Sequence, residues 1–163
     1  MTIQIPSRAA ELLNDLGYFW PETDEDKVRA LGQMWTDLAS TLQPIHADAD
    51  AAAAQVVREN NAQSIEAFRQ LWGQDERAAR TLGRGELGAQ AIAGALAVCA
   101  AAVVALKVNV IIQLGLLAVE IVQAIATAEV TLGASLLEIP AFKTLTGLAI
   151  NYLISQAMKV ILG

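Results

Sequence analysis

The sequence has one cysteine and one histidine among 163 residues. A single thiol, Cys99, excludes an internal disulfide and a cysteine-cluster metal site. A single imidazole, His46, excludes a metal centre built on several histidines. Basic residues are scarce. Eleven Lys and Arg stand against 17 Asp and Glu, for a net charge of −6, so a nucleic-acid partner is not expected. The start, Met1-Thr2-Ile3-Gln4-Ile5-Pro6, lacks a basic stretch followed by an apolar core, and no secretory signal peptide is expected. A Gly-rich phosphate loop, a Walker pattern and a cysteine pair are also missing. The expectation is a non-enzymatic chain without cofactor or metal.

Apolar residues are plentiful. They make up 55% of the chain, against 17% charged residues, where soluble domains average about 45–50% and about 25%. Residues 1–86 hold 8 basic and 14 acidic residues, whereas 87–163 hold Lys107, Lys143 and Lys159 against Glu120, Glu129 and Glu138. The pattern predicts a single all-α domain with two subregions. Residues 1–86 read as an acidic helical hairpin, and 87–163 as Ala-rich apolar helices shielded from water. Gly83-Arg84-Gly85-Glu86 is the candidate hinge, because two glycines lower helix propensity there.

Pro6 and Gly17 bracket a short helix over 6–16. Tyr18-Phe19-Trp20-Pro21 reads as an aromatic loop, and three adjacent aromatics cannot all point inward. In Thr23-Asp24-Glu25-Asp26, Thr23 is the expected helix cap with Asp26 reciprocating. Val28, Leu31, Trp35, Leu38, Leu42 and Ile45 then recur at steps of 3 and 4, the seam of a helix packed on near-parallel or antiparallel neighbours. Pro44 should kink or divide that helix. After a turn at Glu59-Asn60-Asn61-Ala62, a second helix from about Ser64 shows Ile65, Phe68, Leu71 and Trp72 on one side. Together these form a helical hairpin of about 60 residues. Its large side chains are ordinary core or a partner-facing seam, since a two-helix hairpin cannot bury both faces of its own stripe. Tyr18 or Trp20 would rest on a partner or on the second half of the chain.

Residues 87–138 hold no proline. Asn109, Gln113, Glu120, Gln123, Thr127, Thr131 and Glu138 fall within an arc of about 80° on a helical wheel, and a stripe kept in phase over 109–138 predicts one continuous helix there, about 45 Å long. Ile139-Pro140 should end it, and a last helix follows over about 141–161. The uncharged run Leu87 to Leu106 is long enough to span a bilayer. Nine of its 20 residues are alanine, which favours a tightly packed helix over lipid insertion, with membrane contact the alternative. His46 and Asp50 lie one helical turn apart, as two metal ligands could. No third ligand is visible, so a solvated helix face is the reading. Cys99, among Ala and Val, reads as a buried inert thiol, and Glu120 as a water-exposed acid on the polar stripe.

The hairpin with Trp35, the break at Asn60-Asn61, then Ala67-Phe68 and Leu71-Trp72, resembles the Trp-x-Gly superfamily of type VII secretion substrates. Leu16-Gly17-Tyr18-Phe19-Trp20-Pro21, the acidic cap and Gly133-Ala134-Ser135-Leu136 are similar to the N-terminal domain of actinobacterial polymorphic toxins, including the channel-and-necrotizing-toxin type. The resemblance implies export through the type VII apparatus, pairing with small helical-hairpin proteins, and carriage of a C-terminal toxin. It implies a secreted or cell-surface destination, after residence in the cytoplasm. It departs from the family in lacking a strict Trp-x-Gly turn. The family's Tyr-x-x-x-acid export signal is matched by Tyr18 and Glu22, whereas Tyr152 and Gln156 fail at the acid. The expected partner face is Val28, Leu31, Trp35, Leu38, Leu42, Ile65, Phe68, Leu71, Trp72, Tyr18 and Trp20. Homo-oligomerisation through the apolar helices is the other way to cover them.

Overall fold

The computed structural model describes residues 2–74 and 78–163, and every regular element among them is helical. In order these are α1 (Ser7–Asp15), α2 (Glu25–Glu59), α3 (Gln63–Trp72), α4 (Ala78–Ala126), a 3-10 turn (Ala134–Glu138) and α5 (Ile139–Leu162). They form the expected all-α architecture. The chain packs as two compact units. One is Lys27–Ala97; the other joins the N-terminal residues through Asp26 to Val98–Gly163.

In the Lys27–Ala97 unit, α2 runs antiparallel to the first part of α4. A Cβ placed on Gly32 would lie 3.4 Å from the Leu96 Cβ, one on Gly85 would lie 3.6 Å from Leu42, and one on Gly83 would lie 3.0 Å from His46. Gly32, Ala39 and Ala53 of α2 are buried, with Trp35, Leu42, His46 and Ala49 half-buried between them. The inward ladder therefore steps 4 and 3 through small residues, which let the backbones approach closely. α4 answers in kind with buried Ala79 and Ala89.

Several expectations are corrected here. The helix expected from about Ser64 is the ten-residue α3, shorter than α2, and α2 also pairs with the first part of α4. Gly83–Glu86 is no hinge but helix, and its small residues admit His46 and Leu42. Pro44 does not divide α2, which continues through it. Pro44 and Ser40, the residue whose carbonyl loses its helical amide partner, are both exposed.

The other unit is built on the hairpin of α4 (98–126) and α5, with α1 laid across it. Leu13, Val110, Leu114 and Ile150 form its core, joined by Ile5, Leu12, Tyr18, Trp20, Leu106 and Leu153. α1 ends because Gly17 takes φ +84°, with its N–H donating to the Asn14 carbonyl and that of Tyr18 to the Leu13 carbonyl. This is a Schellman closure that only glycine enters without strain.

The helix expected to run unbroken over 109–138 instead stops at Ala126, as the end of an α4 that starts at Ala78. Leu132 and Gly133 turn left-handed. The buried Ser135 hydroxyl donates to the Ala124 carbonyl at 2.7 Å, satisfying one of the last carbonyls of α4. Pro140 opens α5 in its first turn, where its missing N–H is not needed. At the head of α2 the cap is Asp24, not Thr23: the Asp26 amide donates to Asp24 Oδ1 at 3.1 Å.

Candidate functional site

The features that can act on another molecule are faces of helices. Among the described residues no group of three or more His, Cys, Asp or Glu side chains could hold a metal ion. Cys99 is half-buried rather than buried, and Glu120 is half-buried on its stripe. His46 is not on a solvated face. Its ring packs where a Gly83 side chain would be, and its Nε2 lies 3.5 Å from Asp50 Oδ2.

On α2 the expected seam splits in two. Val28, Trp35 and Leu42 are half-buried along the inward ladder. Leu31, Leu38 and Ile45 lie on its flank, 45%, 42% and 49% exposed, with Met34 beside them at 67%. The last four fall within an arc of about 60°. They make an apolar ridge that α4 leaves open because Gly32, Ala39 and Ala53 already fill the contact. Sequence reasoning weighted large side chains and passed over the small ones. The seven-residue step from Gly32 to Ala39 was the signal that could have found the true inward face.

α3 folds back on α2. The Phe68 and Trp72 rings lie 5.7 Å apart, and Trp72 Nε1–H donates to Asp50 Oδ1 at 3.0 Å. Ala53, Ala54, Val57, Phe68 and Trp72 line an open, mainly apolar groove of about 390 Å³. Ile65 is half-buried, and Leu71 is 42% exposed.

Tyr18 and Trp20 belong to the other unit and join its core. Tyr18 Oη donates to the Gly147 carbonyl at 3.0 Å. Phe19 between them is 87% exposed, so it is the aromatic left for another surface. Glu22 is exposed and, like Tyr18, lies outside any helix.

Sequence reasoning also missed a fully buried charge pair. Lys107 Nζ donates to Glu25 Oε2 at 2.7 Å and to the Thr23 carbonyl at 2.7 Å, and stands 5.9 Å from the centre of the Trp20 ring. The Ile3 amide donates to the other oxygen, Glu25 Oε1. The Lys107 ammonium foremost, then the Ile3 amide, hold the Glu25 carboxyl well below its ordinary 4.5, at about 2. The pair pins the N-terminal segment to α4.

A family model described as a WXG100-like domain matches residues 4–147. Comparison with curated proteins and with solved structures returned no match.

Proposed function

The chain belongs to the WXG100-like family, helical proteins related to type VII secretion, and from that premise we propose that it is a non-enzymatic targeting domain of a type VII effector. It pairs with a small helical-hairpin protein and is exported through the type VII apparatus. It carries a toxin joined to its C-terminal side.

The supporting observation is the bare ridge of Leu31, Met34, Leu38 and Ile45 on α2. Its neighbours face α4, so a partner helix can lie along it. About half of each side chain is still exposed, so covering it contributes about 1 kcal/mol apiece towards the apolar contact a partner helix would make. Co-expression of a tagged chain with small helical-hairpin proteins of type VII systems tests this reading. Wild type should co-purify with such a protein and reach the medium, and Leu31→Asp with Leu38→Asp should do neither. Capture and export unchanged by the double substitution would refute it.

A second reading, insertion of residues 87–163 into a membrane, is favoured by one observation. Val130, Leu132 and Leu137, at the closed end of the α4–α5 hairpin, are 87%, 96% and 81% exposed. Two helical stretches, Ala79–Ala126 and Ala134–Leu162, are long and apolar enough to cross a bilayer by length and composition. Leakage of dye-loaded liposomes distinguishes this reading from the first.

A further inference from the structure

The groove between α2 and α3 is space that the Lys27–Ala97 unit does not fill for itself. Its origin lies in the sequence. α2 carries four consecutive alanines, Ala51–Ala54, where α3 brings the Phe68 and Trp72 rings against it. The rings hold the two helices apart, and alanine side chains are too short to close the gap. The volume of about 390 Å³ falls within the range of about 300–1,000 Å³ found for ligand pockets. Along α2 the lining runs from Asp50 to Arg58, about 12 Å of helix.

Charge at this groove runs against its surroundings. Residues 1–86 hold 8 basic and 14 acidic residues, yet the lining has two arginines, Arg58 from α2 and Arg69 from α3, against one acid, Asp50. Asp50 is already engaged. Its Oδ1 accepts from Trp72 Nε1–H at 3.0 Å, and its Oδ2 lies 3.5 Å from His46 Nε2. Arg69 meets Glu66 at 3.4 Å, with both side chains more than half exposed, a pair that water screens. A guanidinium has five N–H donors, so that contact leaves Arg69 able to hold a second carboxylate.

We propose that this groove binds an alkyl carboxylate of medium chain length. The tail lies along Ala53, Ala54 and Val57 against the two rings, and Arg58 and Arg69 hold the head group. This site is separate from the α2 ridge and does not depend on what docks there.

The lining selects the class of ligand. An apolar strip favours a hydrocarbon chain, and arginine pairs with a carboxylate through paired, charge-assisted hydrogen bonds. The lining residues all belong to helices, whose backbone groups are spent on one another. An extended peptide laid there would find no partners for its own N–H and C=O groups, whereas an alkyl chain has none to satisfy. A quaternary ammonium would suit the aromatic rings but would face the two arginines.

Decanoate, whose extended length is close to that of the groove, tests the proposal on the full isotope-labelled chain by nuclear magnetic resonance. The Trp72 indole N–H signal, identified by its loss in Trp72→Phe, should shift saturably. Decanol, which lacks the charge, should bind roughly tenfold more weakly. Arg58→Gln combined with Arg69→Gln should lower decanoate affinity to that of decanol and leave decanol unchanged, a split that a merely structural role for the arginines would not produce. Ala54→Phe, at an exposed position of α2, should fill the groove and abolish binding of both, with helical circular dichroism unchanged. A Trp72 signal that does not move with decanoate at about 1 mM overturns the proposal. So does decanol or decyltrimethylammonium binding as tightly as decanoate, or decanoate affinity that survives the double arginine substitution. A shift caused by an acidic amphipathic helical peptide and not by decanoate would make the groove a protein-docking site and equally overturn it.

Discussion

Lys107 and Glu25 meet at 2.7 Å with 0% and 2% of their side chains exposed, joining positions 82 residues apart in sequence. Each is fully engaged. The ammonium also takes the Thr23 carbonyl and the face of Trp20, and the carboxylate also takes the Ile3 amide. A buried ion pair adds little net stability over an apolar pair of the same size, but half of one is strongly unfavourable. On α4, whose surroundings are almost entirely apolar, this pair fixes where the N-terminal segment docks. Leu13 adds burial and Tyr18 a single hydrogen bond to Gly147, and neither could select the position so sharply.

Removing one member should therefore be far worse than removing both. Lys107→Ala is expected to destabilise the unit by about 3–5 kcal/mol, because the Glu25 carboxylate is left in place without its cation. Lys107→Met combined with Glu25→Leu should recover most of that loss. Urea unfolding followed by Trp20 fluorescence, with the other two tryptophans replaced by phenylalanine, reads the difference. Equal losses in the single and double variants would show that the contact is packing alone.

The same pair sets the acid sensitivity. Glu25 titrates at about 2 in the folded chain against an ordinary 4.5. Its folded value is depressed, so its contribution is fully present above about pH 4.5 and is lost as pH falls towards 2. The urea midpoint should drop across that window. In the Lys107→Met variant, which lacks the first cause of the shift, the drop should be shallower. Matching acid profiles for the two chains would mean that other carboxylates govern the transition.

The elements that could be read from sequence are those with strong local signals. Pro6 and Gly17 bracket α1, and Asn60-Asn61 separates α2 from α3. The helical class and the family likeness came from the same kind of pattern. What could not be read depended on partners distant in sequence. Glycines at 83 and 85 lower intrinsic helix propensity, and contact with Leu42 and His46 overrides it. Leu31 and Leu38 have the hydrophobicity of a core seam, yet Gly32 and Ala39 occupy the core because closeness of backbones, not side-chain size, decides which face turns inward. Nothing local to Lys107 marks Glu25, 82 residues away, as its counterion.

Two glycines of opposite character test the helix packing. Gly88 is exposed in α4 with nothing near its missing Cβ, so Gly88→Ala should stabilise by about 0.5–1 kcal/mol. A Cβ placed on Gly32 would lie 3.4 Å from the Leu96 Cβ and 3.5 Å from the Ala93 carbonyl, so Gly32→Leu must push α2 from α4 and should destabilise by about 1–3 kcal/mol. Thermal melts of the two variants should move in opposite directions. A neutral Gly32→Leu would mean that the two helices do not approach at that point.

The α2 face makes a sharper separation, between folding and docking. Trp35 is half-buried on the inward ladder and Phe68 stacks near Trp72, so Trp35→Ala and Phe68→Ala should lower the unfolding midpoint, by about 2–3 kcal/mol for the tryptophan. Leu31→Ala and Leu38→Ala remove side chains that are 45% and 42% exposed, and each should change stability by less than about 1 kcal/mol. Their cost should appear in partner capture, as roughly tenfold weaker binding each, equivalent to about 1.4 kcal/mol of apolar contact. Denaturation and binding measured on the same four variants decide the matter. If the leucine variants bind normally while only the destabilised variants lose capture, the ridge is surface and the hairpin docks by another face.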